Sequence, residues 1–556
     1  VLDEEQSSPP VTPTTTIPAM TELDAKENEL IEHEARLNET IDVNLRSHID
    51  RDPRAVWLLY LFQLILSVSF TLLSLLVAIY IFVDRDSYNT YGYHFGVMAN
   101  LLALVGAVLS DSYLGKWLVL LSACGIFIGS MVLLSVFLIP TVVGSLSDGI
   151  LFIPLAVASF GIGFIVPTIL AFGGDQFLAI QEHGRARYFA LMYFMSCAGG
   201  LIAVYVQPAV VFDYNNNEQE SGIMYSAILT LAAALVPLLI LLIGRRRFRT
   251  TPPMREFVVF KMAKAAVVAA HRFSSASPTE RAAAGHWLNF AAKDHGSLFV
   301  QEVCDFGLAI SHILLPVFFM SMLANHTDTF SWHMSMFFKT NDNITRYFPT
   351  STYPALQGSI LVSILLFTFV VFPLLERRGW KVSLHRRLGA GFLCALVAFA
   401  LSLIVHAAAQ DAYMDAFPRQ PGQTDDDIRF PFGDRECSSC ISQWAMLPQC
   451  IFLAFYYALA MPAAYHIVYI ESGRRLRTFA MAILLVALFL SNRVDFYEKP
   501  LTLFASSAKT HGLYGGLGAV GFVVYLITMR FYTPRKERAS INEAARRSKE
   551  AEYSKL

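Results

Sequence analysis

Long apolar stretches separated by short polar turns follow one another along most of the chain. They lie near 55–83, 93–111, 115–139, 149–178, 187–210, 222–244, 304–325, 353–375, 384–409, 441–470, 475–491 and 511–531. As helices, such stretches reach across a hydrocarbon layer of about 30 Å, which takes ~20 residues. They are continuous rather than alternating over ~10 residues, which argues against a β-barrel. The pattern predicts an all-α membrane protein with twelve transmembrane helices in two six-helix bundles, 51–244 and 304–531. A polar connection over 245–303 joins them and contains FVVFKMAKAAVVAAHRF. This segment is amphipathic and basic, and is expected to lie along a membrane surface, where each Lys or Arg near anionic lipid contributes ~1 kcal/mol.

Composition agrees with lipid as the solvent: 55% of residues are hydrophobic and only 16% charged, with a mean hydropathy of +0.47. Two bundles with a long connection between them is the plan of a major facilitator carrier, in which solute binds near mid-membrane between the halves. The net charge of −1 supplies no field to recruit nucleic acid. How the charges are distributed is more informative. RDPR (51–54), Lys116, HGRAR (183–187), RRRFR (245–249), ERRGWKVSLHRR (376–387), RRLR (474–477) and RKER (535–538) fall on one set of alternate loops. DRD (84–86), DYNNNEQE (213–220) and DDD (425–427) fall on the other. By the positive-inside rule both termini are expected in the cytoplasm. The sequons at Asn325 and Asn343 then face outward as glycosylation candidates. No basic stretch followed by a short apolar run opens the chain, so insertion is expected to rely on the first spanning helix.

The tails are polar. Residues 1–50 combine a Pro/Thr stretch with an acidic helix carrying Leu23, Leu30 and Leu37 at heptad spacing, and 532–556 is a basic tail. Either could dock a protein partner. Of seven cysteines only Cys437 and Cys440 share a polar loop, which fits a disulfide if that loop is extracytoplasmic; no second pair completes a metal site. No cofactor motif is present, and neither HExxH, a G-x-S-x-G in context, nor a phosphate loop supports an enzyme.

Two loops carry gate chemistry. VGAVLSDSYLGKW (105–117) sets Asp111 at one helix end, then Gly115, then Lys116 at the start of the next. An acid and a base so placed can latch the end of a bundle. AFGGDQFLAIQEHGRARYF (171–189) supplies Gly173, Gly174, Asp175, Arg185 and Arg187. The glycines allow close backbone approach, and Asp175 with the two arginines can bridge helices 4 and 5.

With its FGGDQF element, the RARYFALMYFMSCAGGL that follows, Asp111-x-x-Leu114-Gly115-Lys116, HWLNFAA (286–292) and PQC…RLRT (448–478), the chain resembles the proton-dependent oligopeptide transporter (POT) family. The resemblance covers 55–531 and implies a major facilitator fold that moves small peptides with protons. It also implies buried charges: an E-x-x-E-R on helix 1, a Lys on helix 4, an acid on helix 7 and a Glu on helix 10. Such groups cost several kcal/mol in a membrane and persist where they serve transport. Here Gln63, Leu66 and Ser67 stand at the helix-1 positions, Val166 at the Lys and Tyr457 at the Glu. His466 stands where a second acid often sits, Cys197 replaces an Asn, Asn100 a Tyr, and Asn325-His326 falls near the helix-7 acid.

Among groups deep in the predicted spans, only His312, His406 and His466 join Tyr and Cys as ionisable. The cavity is therefore expected to be weakly polar, lined from Gln63, Ser67, Asn100, Tyr193, Cys197, Tyr456, Tyr457 and His466, with His466 and His312 as proton-site candidates. A neutral cavity would leave both ends of a zwitterionic peptide under-solvated. Two functions follow: a carrier for a peptide-like or less charged solute, or a transport-inactive scaffold. The plasma membrane and endolysosomal membranes are the expected locations.

Overall fold

The computed structural model describes residues 53–77, 88–139, 148–178, 181–212, 219–251, 253, 255–334, 352–380, 382–416, 441–473, 475–494 and 507–532. The acidic helix within 1–50, Cys437 and Cys440, Asn343, the acidic loop segments 84–86 and 425–427 and the tail beyond 532 lie outside those residues.

Six helices form the first group: α1 Arg54–Leu75, α2 Tyr88–Leu109, α3 Lys116–Phe137, α4 Asp148–Gly174, α5 Glu182–Phe212 and α6 Gln219–Gly244. The connection holds α7 Val258–Ser275 and α8 Pro278–Ala284. The second group contains α9 Ser297–Met334, α10 Thr352–Leu365 prolonged by a π-helical turn Leu366–Val371 into α11 Phe372–Arg377, then α12 Leu384–Ala416, α13 Leu447–Glu471, α14 Arg477–Val494 and α15 Ser507–Phe531. Among the described residues eleven helices are long and apolar enough to cross a membrane; Arg477–Asn492 is a shorter apolar helix. These match the twelve predicted runs in order.

Helix α9 is the one that departs most from its predicted bounds. It starts at Ser297, after Gly296 at φ 84°, and continues to Met334, nine residues past the predicted end at 325. The extension carries His326, Thr327 and Asp328 into the helix, because their polarity hid the continuation from a reading based on apolar runs.

Two units are compact. In the smaller, residues 260–304, α8 starts with a reciprocal cap: Glu280 N–H donates to the Ser277 hydroxyl while the Glu280 side chain accepts from Ser277 N–H. Arg272 pairs with Asp294 at 2.7 Å, and Lys261 lies 4.9 Å over the Phe299 ring. Phe260 and Val267 are exposed apolar residues on α7, whereas Ala265 and Ala269 are buried.

The larger unit holds the helices on both sides of the connection. In the first group Leu73, Phe95, Phe127, Leu134, Leu155 and Ala158 form the core of α1 to α4. Polar cross-links thread it: Ser69 donates to the Thr230 carbonyl at 3.1 Å and Gln207 to the Ser226 hydroxyl at 2.6 Å. Where the halves meet, Ala103 and Ala107 of α2 pack on Ala482 of α14. Side chains this small let two helices approach closely without interlocking, as membrane helix contacts favour.

Candidate functional site

Each residue of the FGGDQF element has a partner outside the element. Phe172 meets Phe248 edge-on at 5.5 Å. A Cβ on Gly173 would lie 1.9 Å from the Tyr188 hydroxyl oxygen, and one on Gly174 would lie 2.5 Å from the Tyr469 ring. The first glycine lets Tyr188 of α5 lie on α4, donating to the Ile169 carbonyl at 3.0 Å. The second admits Tyr469 from the other half. Gln176 donates to the Arg249 carbonyl at 3.0 Å and accepts from Arg249 N–H at 2.8 Å, tying in the segment after α6. Phe177 packs on Tyr188 at 5.7 Å.

Asp175 is the hub. Its carboxylate forms a buried ion pair with Lys116. It also accepts from the Tyr469 hydroxyl at 2.6 Å and from Arg477 at 3.1 Å. Arg477 in turn donates to Tyr469 Oη at 3.1 Å, its guanidinium 4.4 Å over that ring. Burial alone would raise the Asp175 pKa. The Lys116 and Arg477 charges, with hydrogen bonds from Lys116 and Tyr469, outweigh it and hold the carboxyl at about 2.

Asp111 makes the second connection between the halves. It accepts from the Thr478 hydroxyl at 2.6 Å and from the backbone N–H groups of Thr478 and Phe479 at 3.1 and 3.2 Å. A carboxylate from the π-helical turn Ser110–Leu114 that follows α2 thereby satisfies the open N–H groups at the start of α14. Gly115, at φ 78°, permits the turn that places Lys116 beside Asp175.

The sequence anticipated Asp111, Gly115, Lys116, Gly173, Gly174 and Asp175 as gate residues, but with Arg185 and Arg187 as the cations on Asp175. The cations on it are Lys116 and Arg477. Arg185 donates to the Leu178 carbonyl at 3.2 Å and lies 5.8 Å over the Tyr469 ring; Arg187 lines a cavity beside α5. The partners Tyr469, Arg477 and Thr478 were missed because they are 294 to 367 residues away in sequence.

Further into the unit the cavity candidates separate. Tyr193 lies within hydrogen-bond reach of Cys197, 6.5 Å from the Tyr465 ring, and within electrostatic reach of Tyr456 and Tyr457. Tyr457 donates to Asn325 Oδ1 at 3.3 Å, and Asn325 Nδ2 to Ser491 at 3.3 Å. These residues of α5, α9, α13 and α14 form one neutral polar group. Both ends of the Asn325 amide are engaged inside the bundle. Asp328, one turn along α9, is half-buried and within electrostatic reach of Tyr457. It stands at the end of the span Phe299–Thr329, beyond the predicted end of this run at 325.

Ser67 donates to the Ser196 carbonyl at 2.6 Å, Asn100 to the Gly96 carbonyl of its own helix at 2.9 Å, and Tyr456 shares a hydrogen bond with Ser321 at 2.8 Å. Gln63 is half-buried on α1. His312 bonds the Leu308 carbonyl one turn back, at 2.6 Å. His466 is buried, stacked on Phe189 at 5.3 Å, with neither ring nitrogen hydrogen-bonded. Its charged neighbours are cations, Arg185 and Arg387, and it belongs to the latch region rather than the neutral group. Sequence reading also missed a cluster in the second half: His326 Nε2 lies 2.9 Å from His511 Nδ1, stacks on Tyr514 at 4.0 Å, and has His406 close by, 6.0 Å from His511.

Two helical groups joined through a charged latch, with a neutral polar group further in, give an all-α membrane protein with a fold of the major facilitator type. Residues 116–514 match PTR2, the POT family, and the chain belongs to that family. Solute carrier family 15 member 2 of Homo sapiens is 25% identical over 348 residues, covering 61% of this chain and 46% of its own. Peptide transporter 3 of Caenorhabditis elegans is 24% identical over 345 residues, covering 60% and 48%. The chain thus spans about half the length of the curated relatives it matches. Among solved structures, the POT family transporter PepTSo superposes with a TM-score of 0.58 at 15% identity over 87% of this chain and 99% of that one. A POT family transporter in complex with 5-aminolevulinic acid gives 0.54 at 14% identity over 86% and 96%. At these identities the likeness shows the fold.

Proposed function

We propose that the protein is an alternating-access carrier for a small, peptide-like solute bearing an ammonium group and no free carboxylate. The observation that carries this reading is the latch. Asp175 and Asp111 hold groups from the other half entirely through polar contacts, and such contacts can exchange with water when the halves part. A scaffold with fused halves gains nothing from them over an apolar seam, since a buried ion pair is often no more stable than well-packed apolar residues. That favours the carrier over the transport-inactive alternative.

The solute class follows from the neutral group. Tyr193, Cys197, Asn325 and Tyr457 offer hydrogen bonds, and Asp328 offers one negative charge. Lys116 and Arg477 are paired with Asp175, and Arg185 and Arg387 neighbour His466, so in this reading a carboxylate would enter the neutral group uncompensated. Peptide transporters among the relatives make a peptide-like backbone the natural starting point. Lys and Arg excess assigns the latch end to the cytoplasm. His466 contributes ring packing in this reading and carries no proton.

Uptake into proteoliposomes tests it, comparing a labelled dipeptide with its C-terminal amide. The amide is expected to enter faster, and Asp328→Asn to reduce its uptake by about tenfold or more, as loss of a charge-assisted hydrogen bond of ~1.5–3 kcal/mol implies. Preferential uptake of the free dipeptide, or of neither, would overturn the assignment.

A further inference from the structure

A cavity of about 410 Å³ lies apart from the latch, between the start of α5, the α10–α11 segment, the start of α12 and the middle of α13. Its walls are of two kinds. Arg187, Arg387 and Glu376 line one part, Phe369, Phe372 and Leu459 another. Arg387 is the basic residue whose surroundings are described most fully. Arg387 is held firmly: Nε donates to the Val382 carbonyl at 3.3 Å, and the guanidinium lies 3.8 Å over the Phe372 ring. Glu376 approaches it only to 3.9 Å, and Arg387 is 18% exposed. The guanidinium is thus oriented by its neighbours without being fully neutralised by them, and its planar donor fork suits a phosphate.

Depth and access decide where such a phosphate would come from. The spans that border the cavity run Glu182–Gln207, Ala355–Arg377, Leu384–Ala409 and Trp444–Glu471, the last reaching it through its middle. Arg187, Glu376 and Arg387 therefore sit at span ends, the depth of lipid headgroups. The apolar part lies on a span long and apolar enough to cross a membrane, so its exposed side is expected to meet lipid. Phe369 both lines the cavity and is 50% exposed. It belongs to an outward stripe on the same segment with Val362, Leu366 and Val370. There the α10 helix widens into the π turn Leu366–Val371, a local geometry frequent at functional sites.

We infer that this cavity binds the headgroup phosphate of an anionic phospholipid from the adjoining leaflet, with one acyl chain laid along the Phe369–Val362 stripe. Basic pockets between membrane helices are suited to such headgroups, and the apolar stripe gives the chain a path that a free anion would not use. The assignment is independent of what the protein transports.

Native mass spectrometry of the full chain in detergent, with phosphatidylglycerol or phosphatidylcholine added, is the test. The wild type is expected to retain one phosphatidylglycerol that Arg387→Gln binds about fivefold less tightly, the ratio equivalent to ~1 kcal/mol for one basic residue near anionic lipid. Arg378→Gln, an exposed arginine outside the cavity, is expected to leave that lipid in place. Equal loss in both variants, or no loss in Arg387→Gln, overturns the site. Displacement of the lipid by inorganic phosphate alone overturns the lipid as its occupant. Should Arg387→Gln fail to fold, Phe369→Trp carries the test: brominated-chain phosphatidylglycerol is expected to quench the new indole and brominated phosphatidylcholine not to. Equal quenching by the two lipids contradicts the proposal.

Discussion

The latch and the neutral group behind it are both built from polar side chains, yet they use them in opposite ways. At the latch, buried charges are concentrated: Asp111, Lys116, Asp175 and Arg477 lie on four different helices or turns and leave few lone pairs or protons unmatched. In the neutral group, Tyr193, Cys197, Asn325 and Tyr457 form hydrogen bonds of 3.3 Å or looser contacts, with Asp328 alone supplying charge. Among the described residues, charge is concentrated where the halves meet and is sparse in the neutral group; on the proposed function, that is the difference between holding the halves and holding a solute. Machinery for moving and machinery for binding are separable on this fold.

The largest effect is expected where the latch is broken from inside. Asp175→Ala leaves Lys116 buried without its partner, and should lower stability by roughly 3–5 kcal/mol. Thermal unfolding in detergent checks this, and Lys116→Met in the same chain should restore a good part of the loss. No destabilisation in the single variant would mean that Lys116 finds water and the pair contributes little. Gly174→Ala comes next. Its methyl would meet the Tyr469 ring at 2.5 Å and push that hydroxyl off Asp175, an overpacking cost of about 1–3 kcal/mol. The double change Gly174→Ala with Tyr469→Ala should be milder than the two single effects added together. Additivity would show that the two residues do not interact.

A pH series sharpens the contrast further. The Asp175 pKa in the folded protein lies below its ordinary value. Its stabilising contribution is therefore complete above the unfolded carboxyl pKa of about 3.9, and is lost only as pH falls towards about 2. Between pH 7 and 5 the latch should hold unchanged, and unfolding temperatures of wild type and Asp175→Asn should run parallel across that window. Convergence of the two curves above pH 5 would contradict the assignment. Smallest of all should be His466→Phe. The ring stacks on Phe189 without hydrogen bonds, so a phenyl group should preserve both stability and the pH profile of uptake. A shifted profile would return His466 to the list of proton sites.

The number and order of the membrane helices could be read from the sequence because each is an apolar run of sufficient length. FGGDQF was legible as a close-packed helix-end junction for a similar reason: two glycines beside an acid have few other uses at a helix end. What stayed hidden depended on distance along the chain. Nothing in the residues near Asp175 indicates that Tyr469 and Arg477, rather than Arg185 and Arg187, complete it. Asp328 and the His326–His511 pair were hidden differently, since polar residues at the end of α9 interrupt the hydropathy signal while the helix continues. The triplet at Asn325 gave no sign that its amide is engaged by Tyr457 and Ser491.

The central claim is that the latch is a gate, closed in one state and open in another. Spin labels at Tyr113→Cys and Trp380→Cys, both exposed positions of the larger unit, would report the separation of the halves in reconstituted protein by double electron–electron resonance. A gate predicts two distance populations, with the longer one increased by Asp175→Asn and redistributed by a dipeptide amide. A single distance, unmoved by the substitution or the solute, would contradict the account and leave a fixed scaffold in its place.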